Sequence, residues 1–320
     1  MTKVALFGAA GAIGKSIAAA LSQHNMPYRV VGRSLERLEQ NFAEDTNAEL
    51  MTWNPDQPDS IIQAATGVDT LVYMVGVDYW HFNLHPLLMR KTLDAAIQAG
   101  VKNIVLIGTV YPYGMPTTQP VAESHAKVPC SFKGKMRQQQ EAILLDAHAK
   151  GLINATILRL PDFYGPGVDK SYLYSAIQAG VSGQTADLIG PIDAPHEFLY
   201  APDVGEVVRK LAMTKAAYGR DWNLAGCRTT SQAELIAIIE QQTGQPLKRR
   251  VAGKFALRLL GLFDRFLREV VEMHYLLTNP IIMDDSALEE LIGPIAKTSY
   301  EEGIAKSLAF EKEKSNHFLQ

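Results

Sequence analysis

Three glycines at three-residue intervals, Gly8, Gly11 and Gly14, follow directly after an apolar run at residues 4–7. The first glycine allows a tight turn out of a strand, the second lets a ligand approach the backbone, and the third lets the next helix pack closely on the sheet. A helix N-terminus offers N–H groups and a positive dipole end, which suit a pyrophosphate. The spacing therefore predicts a dinucleotide site formed by Gly8, Ala10, Gly11, Ala12, Ile13 and Gly14.

An arginine stands where a second strand, residues 28–31, is predicted to end. In dinucleotide folds an acidic residue at this position accepts hydrogen bonds from the adenosine ribose and repels a 2′-phosphate. This chain has Arg33 and Ser34 instead, with Arg37 one turn further on, and a guanidinium suits a phosphate. We therefore expect NADP(H) as the preferred cofactor and NAD(H) as the second choice. The alternative is that Arg33 is a solvated surface charge that stacks on the adenine.

Strands and helices alternate through the first half of the chain. Apolar runs predict strands at residues 3–7, 28–31, 48–53, 69–75, 101–107 and 155–160. Helical patterns lie between them, from residue 35 and at 60–66, 87–99 and 135–149. Continuous apolar strands joined by helices are typical of a parallel sheet covered on both faces. Ligands of such sheets bind beyond the carboxyl ends of the strands, where we expect the following loops to converge.

The regular alternation ends near residue 165, which predicts the organisation of the chain. We expect a Rossmann-type, doubly wound α/β domain over residues 1–165, completed by segments near 196–226. A smaller, mostly helical substrate-binding region is expected over residues 166–310, and a flexible tail over 311–320. Within that region helices are predicted at 202–213, 231–243 and 254–277, of which the last is amphipathic.

Composition limits the classes of protein. The 320 residues are 47% hydrophobic and 20% charged, which is typical of a globular protein. The net charge of -3 argues against nucleic-acid binding, and no apolar run is long enough to span a membrane. Cys130 and Cys227 have no metal-site spacing, so we expect no metal, reduced thiols and a cytoplasmic protein. The amphipathic segment is expected to pack on the protein's own core rather than on a membrane.

Further motifs follow the later strands. They read Ile107-Gly-Thr109-Val-Tyr-Pro-Tyr-Gly114, Leu158-Arg-Leu-Pro161-Asp162-Phe-Tyr-Gly-Pro-Gly167 and Phe198-Leu-Tyr-Ala-Pro-Asp-Val204. With the glycine turn, they make nearly the whole chain resemble the extended short-chain dehydrogenase/reductase superfamily, in its NAD-dependent epimerase/dehydratase group. The resemblance implies a small-molecule substrate and a homodimer formed through the helices at 87–99 and 135–149. It also implies cofactor contacts from Asn54, Val75, Gly76, Val77, Gly108, Pro161 and Phe163.

The catalytic positions depart from the pattern of this superfamily. Its members use a serine or threonine, a tyrosine that acts as general acid or base, and a lysine four residues after the tyrosine that lowers the tyrosine pKa. Thr109 keeps the hydroxyl group. Alignment on Glu141 places Lys133 at the tyrosine position and Arg137 at the lysine position.

Three interpretations stay open. In the first, Arg137 binds the ribose and Lys133, desolvated beside another cation, donates the proton. In the second, Thr109 orients the substrate, and the acid is Tyr111 or a residue of the loop 78–85, namely Asp78, His81 or His85. In the third, the chain binds NADP(H) without catalysis, as a sensor or interaction protein.

The substrate is expected to lie against the loop after the fourth strand. The aromatic residues Tyr79, Trp80 and Phe82 of this loop suit an apolar wall. The expected substrate contacts are Asp78, Trp80, His81, His85, Asp162 and Tyr172. The leading expectation is an NADP(H)-dependent oxidoreductase that reduces a ketone or aldehyde of a small, fairly apolar substrate. A sugar-type epimerase or dehydratase with bound NAD(P) is the alternative enzyme.

Overall fold

Seven parallel strands form the central sheet in a computed structural model that describes residues 3–317. The strands are β1 (Val4–Phe7), β2 (Tyr28–Gly32), β3 (Ala48–Thr52), β4 (Thr70–Tyr73), β5 (Asn103–Thr109), β6 (Asn154–Leu160), β7 (Asp162–Tyr164), β8 (Ala186–Ile189), β9 (Phe198–Tyr200), β10 (Asp221–Asn223) and β11 (Arg249–Ala252). The helices are α1 (Ala12–Gln23), α2 (Leu35–Phe42), α3 (Pro58–Ala65), α4 (Leu84–Gln98), α5 (Phe132–Ala149), α6 (Tyr174–Ser182), α7 (Val204–Met213), α8 (Gln232–Thr243), α9 (Lys254–Leu260), α10 (Arg265–Met273), α11 (Tyr275–Thr278), α12 (Ser286–Ile292) and α13 (Tyr300–His317).

The strand order of the central sheet is β10-β6-β5-β4-β1-β2-β3. Val4 of β1 pairs with Tyr28 on one side and with Thr70 on the other. The order reverses between β1 and β4, and in this topology a crevice opens at that point beyond the carboxyl ends of the strands. The predicted Rossmann-type, doubly wound sheet is thereby confirmed.

Helices cover both faces of the sheet because the strand side chains alternate between two apolar clusters. Val4 and Leu6 contribute to the cluster beneath α1, α2 and α7, whereas Ala5 and Phe7 contribute to the cluster beneath α3, α4 and α5. All four of these β1 residues are buried. Burial of apolar surface on both faces fixes the pairing register of β1, since a slip of one residue would move each side chain to the opposite face of the sheet.

The smaller C-terminal region is mostly helical, as expected. Its own apolar cluster joins α6, α8 and α13 through residues such as Ile177, Leu235 and Ile304. Two short parallel pairs, β7 with β9 and β8 with β11, accompany these helices. Leu288 of α12, by contrast, packs into the cluster beneath α1 and α7, so this part of the chain returns to the main sheet.

Two expectations about the C-terminal region need correction. The segment 254–277 is not one helix but three. The chain turns at Gly261, and the side chain of Asp264 caps α10 by accepting a hydrogen bond from the Leu267 amide at 2.9 Å. A second break at His274 separates α10 from α11. The expected flexible tail is helical through residues 311–317, since the buried Glu311 carboxylate accepts a hydrogen bond from Gln178 of α6. Residues 318–320 of that tail lie outside the described residues.

Candidate functional site

The glycine turn between β1 and α1 forms one end of the candidate site. Gly8 has a φ of +93°, and its amide donates a hydrogen bond to the Val31 carbonyl at 2.9 Å. A Cβ on Gly14 would lie 2.2 Å from the Ala9 carbonyl oxygen, so only glycine lets α1 start this close to the turn. A Cβ on Gly11 would meet no protein atom within 4 Å. The turn therefore leaves open space directly before the helix N-terminus, as a bound pyrophosphate requires.

A cleft of about 320 Å³ extends from this turn across the carboxyl ends of β4, β5 and β6. It lies at the point where the strand order reverses, which is the usual ligand position in this topology. Most of its lining is apolar. Its walls include Tyr73, Met74, Tyr79, Phe82, His85, Ile107, Thr109, Tyr111, Arg137 and Leu160, in addition to the glycine turn.

The expected cofactor residues divide into two groups. Those that line the cleft are Gly8, Gly11, Ala12, Ile13, Gly14, Val75, Gly76, Val77, Gly108, Pro161 and Phe163. Ala10 and the residues after β2 and β3 lie outside its lining. Ser34 caps α2 by accepting a hydrogen bond from the Arg37 amide, and the Asn54 side chain accepts one from the Asp56 amide at 2.9 Å. Arg33 and Arg37 are exposed.

Two hydroxyl-bearing residues, Thr109 and Tyr111, line the cleft at the carboxyl end of β5. Thr109 ends the strand, and its Oγ1 is buried without a hydrogen-bond partner in the described part of the chain. The Tyr111 hydroxyl lies 3.0 Å from that of Tyr79. Burial raises the pKa of the Tyr79 phenol, and burial together with the proximity of Tyr79 raises the pKa of Tyr111 well above its usual range. Both phenols are therefore protonated at neutral pH.

Arg137 and His85 also line the cleft and contact each other. The Arg137 guanidinium donates to Nδ1 of His85 at 3.3 Å and to the Ile107 carbonyl at 2.9 Å. Burial, with a further contribution from the Arg137 charge, lowers the pKa of His85 to about 2. The imidazole is consequently neutral at ordinary pH, so His85 is not a cationic acid there, although a neutral imidazole keeps one N–H donor.

Lys133 does not line the cleft but lies behind the Tyr79 and Phe82 rings of its wall, which corrects the expectation that it donates a proton there. Its ammonium group is bonded to Glu269 at 2.6 Å and to Glu272 at 2.7 Å, both on α10. The side chain is only 1% exposed and does not line the cleft. Because α10 folds back over the start of α5, the charge of Lys133 is used to hold these two helices together.

The expected substrate residues are found in three places, and only His85 lines the main cleft. Asp162 and His196 meet at 2.8 Å in a small adjacent cavity of about 10 Å³. The Tyr172 ring packs edge-on against His196, with 6.2 Å between ring centroids. The remaining three lie on the loop after β4, where Asp78 precedes a short helical turn that contains Trp80 and His81. Of the three aromatic residues expected as a wall, Tyr79 and Phe82 line the cleft whereas Trp80 does not.

Three candidate functional residues were not foreseen. Tyr73 lines the cleft, but in the sequence it is hidden within the apolar run of β4. Glu269 and Glu272, the partners of Lys133, stand three residues apart in a segment otherwise rich in arginine. Acids at this spacing share one helix face, a signal that would have indicated a cationic partner.

Comparison with curated proteins points to one enzyme family. The family model described as NAD dependent epimerase/dehydratase matches residues 4–225. The 2′-dehydrokanamycin reductase of Streptomyces kanamyceticus is 27% identical over 50% of this chain and 48% of its own length. An epimerase family protein of Mycobacterium leprae is 29% identical over 46% of this chain and 48% of its own length. The chain thus spans about half the length of these two relatives.

A third relative is matched over more of its length. It is the N-acetyl-alpha-D-glucosaminyl-diphospho-ditrans,octacis-undecaprenol 4-epimerase of Escherichia coli O157:H7, 22% identical over 76% of this chain and 73% of that protein. Its match therefore extends beyond the glycine turn into the C-terminal half of the chain.

Solved structures share the whole fold. The UDP-glucuronic acid 4-epimerase of Bacillus cereus, in complex with UDP-glucuronic acid and NAD, superposes with a TM-score of 0.81, 17% identity and coverage of 98% of this chain and 100% of that one. An epimerase of Methanothermobacter thermautotrophicus gives a TM-score of 0.84 at 14% identity, with coverage of 99% and 94%. At these identities the likeness is one of fold. The glycine turn, the strand order and the family match together show that the protein belongs to the NAD-dependent epimerase/dehydratase family, within the extended short-chain dehydrogenase/reductase superfamily.

Proposed function

We propose that this protein is an NADP(H)-dependent oxidoreductase that reduces a ketone or aldehyde of a small, fairly apolar substrate. The observation that carries the proposal is the placement of Thr109 and the Tyr79–Tyr111 hydroxyl pair in the same apolar cleft as the glycine turn. When bound, the nicotinamide supplies the hydride. The open space before α1 and the glycine-lined wall fit such a cofactor.

The proposed preference for NADP(H) rests on Arg33. The hydrogen bond from Gly8 to Val31 places the end of β2 beside the glycine turn. Arg33 follows one residue after β2, is exposed, and forms no ion pair within residues 3–317. No acidic residue occupies this position, so nothing repels a 2′-phosphate.

Tyr111 is the proposed proton donor. Its raised pKa keeps the phenol protonated, and the alkoxide formed from a carbonyl group is a stronger base that takes the proton. The Tyr79 hydroxyl, 3.0 Å away, can donate to the phenolate that is left. Thr109, whose Oγ1 lacks a partner among the described residues, can donate to the substrate oxygen.

Cofactor titrations test the first half of the proposal. We expect the wild type to bind NADPH more tightly than NADH, and Arg33→Asp to weaken NADPH binding by about tenfold or more, since one charge-assisted contact is worth 1.5–3 kcal/mol or so. Arg90→Asp, at an exposed arginine of α4, is the matched control and should change neither affinity. A wild type that prefers NADH would contradict the assignment.

Steady-state kinetics with NADPH and a panel of ketones and aldehydes test the second half. Tyr111→Phe should lower kcat by roughly 10²- to 10⁴-fold while NADPH affinity is kept. Tyr218→Phe removes a phenol that donates to the Ala212 carbonyl away from the cleft, and should leave kcat unchanged. Absence of NADPH oxidation across the panel would contradict the reductase proposal. An unchanged kcat in Tyr111→Phe would show that Tyr111 is not the proton donor.

A sugar epimerase or dehydratase with bound NAD(P) is the second candidate. It is favoured by the E. coli 4-epimerase relative and by the B. cereus fold neighbour. Such an enzyme would convert a nucleotide sugar without net consumption of cofactor, which NMR of the sugar product detects. Binding of NADPH with no turnover of either substrate class would instead support a non-catalytic sensor or interaction protein.

Two further expectations stay proposals. A homodimer formed through α4 and α5 is tested by sedimentation velocity. A cytoplasmic location is tested by fractionation of cells that express the full chain.

A further inference from the structure

We propose that the helical hairpin formed by α9 and α10 docks this protein on the surface of an anionic lipid bilayer. The proposal goes beyond the proposed function and does not depend on it. It departs from the expectation that this amphipathic segment packs on the protein's own core, because several of its large apolar side chains are exposed. No helix described in residues 3–317 meets the requirements of a membrane span, so the contact would be peripheral.

The first observation is an exposed apolar tip, which we define as Phe255, Leu259, Leu262 and Phe263. Their exposed fractions are 74%, 51%, 73% and 93%. Phe255 and Leu259 are four residues apart in α9 and so share one face of that helix, whereas Leu262 and Phe263 lie in the turn between α9 and α10. Single exposed apolar residues are ordinary on protein surfaces, but a contiguous group with two aromatic rings marks an interaction surface.

The second observation is the charge around the tip. Residues 254–268 contain the cations Lys254, Arg258, Arg265 and Arg268 and a single acid, Asp264, in a chain whose net charge is -3. Asp264 is engaged as the cap of α10. Aromatic and leucine side chains flanked by lysine and arginine are the pattern of helices that lie in the interface of anionic membranes. Each cation contributes about 1 kcal/mol near such a surface.

The opposite side of the hairpin is already used within the protein. Glu269 and Glu272 bind Lys133, and the Arg265 guanidinium lies 4.6 Å from the Trp80 ring. The tip therefore cannot turn inward without breaking these contacts. They also fix the orientation in which the tip would meet a membrane.

The same charges decide between a bilayer and a second copy of this chain as the occupant. A symmetric contact between two tips would bring Lys254, Arg258 and Arg268 of one copy near the same cations of the other, which is unfavourable. An anionic bilayer offers both complementary charge and apolar surface. The hairpin is also continuous with the cleft wall, because the Phe266 ring lies 5.5 Å from the ring of Tyr79. Docking would bring that wall close to substrates that partition into lipid.

Co-sedimentation of the full chain with vesicles tests the proposal. We expect binding to vesicles of phosphatidylcholine with phosphatidylglycerol, little binding to phosphatidylcholine alone, and loss of binding as salt screens the charges. Leu262→Ser with Phe263→Ser should weaken binding by about tenfold or more. Replacement of Lys254, Arg258 and Arg268 by glutamine should weaken it by about 100-fold.

Matched controls keep the outcome specific. Leu152→Ser with Met213→Ser removes two apolar side chains elsewhere that are about half exposed, and glutamine at Lys215, Lys306 and Lys312 removes as many exposed cations. Both controls should bind like the wild type. The proposal is overturned if the wild type does not bind the anionic vesicles, or if the tip variants bind as well as the controls. It is equally overturned if the tip variants dissociate a dimer in the absence of lipid, because the tip would then be a self-interface.

Discussion

The Arg159 side chain lies between two carboxylates behind Gly108 of the cleft wall. Its guanidinium donates to Glu141 of α5 and to Asp221 of β10, and its side chain is 2% exposed. Burial alone would lower the pKa of Arg159, but the two carboxylates outweigh it and raise the pKa above its usual range. Glu141, which guided the alignment of Lys133 and Arg137, is thus a structural partner of a buried cation.

Removal of one member of this buried cluster should be costly. We expect Glu141→Leu to lower the free energy of unfolding by about 3–5 kcal/mol, because the buried Arg159 guanidinium loses one of its two carboxylate partners. The double variant Glu141→Leu with Arg159→Met should recover part of this loss. Asp146→Leu breaks an exposed ion pair with Lys150 and should cost less than about 1 kcal/mol. Urea denaturation measures all three. Equal losses in Glu141→Leu and Asp146→Leu would show that the cluster contributes no more than a surface pair.

At the scale of elements, the junction of β1 and α1 joins fold and site. Gly14 permits the close approach of helix and turn, and Gly11 leaves the space in front of the helix. The two glycines therefore have different tasks, although they look equivalent in the sequence. Substitution of each glycine by alanine therefore tests helix packing at Gly14 and ligand access at Gly11.

We expect Gly14→Ala to destabilise the protein by roughly 1–3 kcal/mol or more, since the methyl group would overlap the Ala9 backbone. Gly11 has an extended backbone with a φ of -85°, and a Cβ there would meet no protein atom within 4 Å. Gly11→Ala should therefore change the free energy of unfolding by less than about 0.5 kcal/mol. Its methyl group should nevertheless weaken NADPH binding. Thermal unfolding without cofactor and NADPH titration separate the two effects, and an NADPH affinity unchanged by Gly11→Ala would argue against this position for the pyrophosphate.

At the scale of the whole molecule, Glu197 joins the segment before β9 to the chain that follows α11. Its carboxylate accepts a hydrogen bond from the Met283 amide at 3.1 Å. Burial raises the pKa of Glu197 from 4.5 to about 7. Between these two pH values the folded protein keeps a proton that the unfolded chain has released. Folding is therefore favoured below this window, and stability is lost as the pH rises through it.

Glu197→Gln should remove this pH dependence, because the amide stays neutral and can still accept from Met283. Relative to the wild type, we expect the variant to gain stability as the pH rises from 4.5 to 7, with a total gain of about 3 kcal/mol. Glu290→Gln, at an exposed position of α12, serves as the control. Denaturation at several pH values gives the slopes, and parallel curves for wild type and Glu197→Gln would contradict the assignment.

Features that depend on neighbouring residues could be read from the amino-acid sequence. The spacing of Gly8, Gly11 and Gly14 and the apolar runs between helices predicted the parallel sheet, its helices on both faces and the family. These signals are local, because backbone geometry and side-chain alternation act over a few residues. Helix breaks were harder to foresee, as at Gly261 and His274, which divide one amphipathic segment into three helices.

What the sequence by itself determined is therefore the doubly wound sheet and the glycine turn that faces its crevice. Only the tertiary structure decided the neighbourhood of each polar side chain. Lys133 and Glu272 are 139 residues apart, and so their contact depends on how α10 folds back over α5. The same holds for Asp162 and His196, which meet across 34 residues. A charge is stabilised by whatever lies within a few ångströms of it, and that neighbourhood is set by packing of the whole chain rather than by spacing along it.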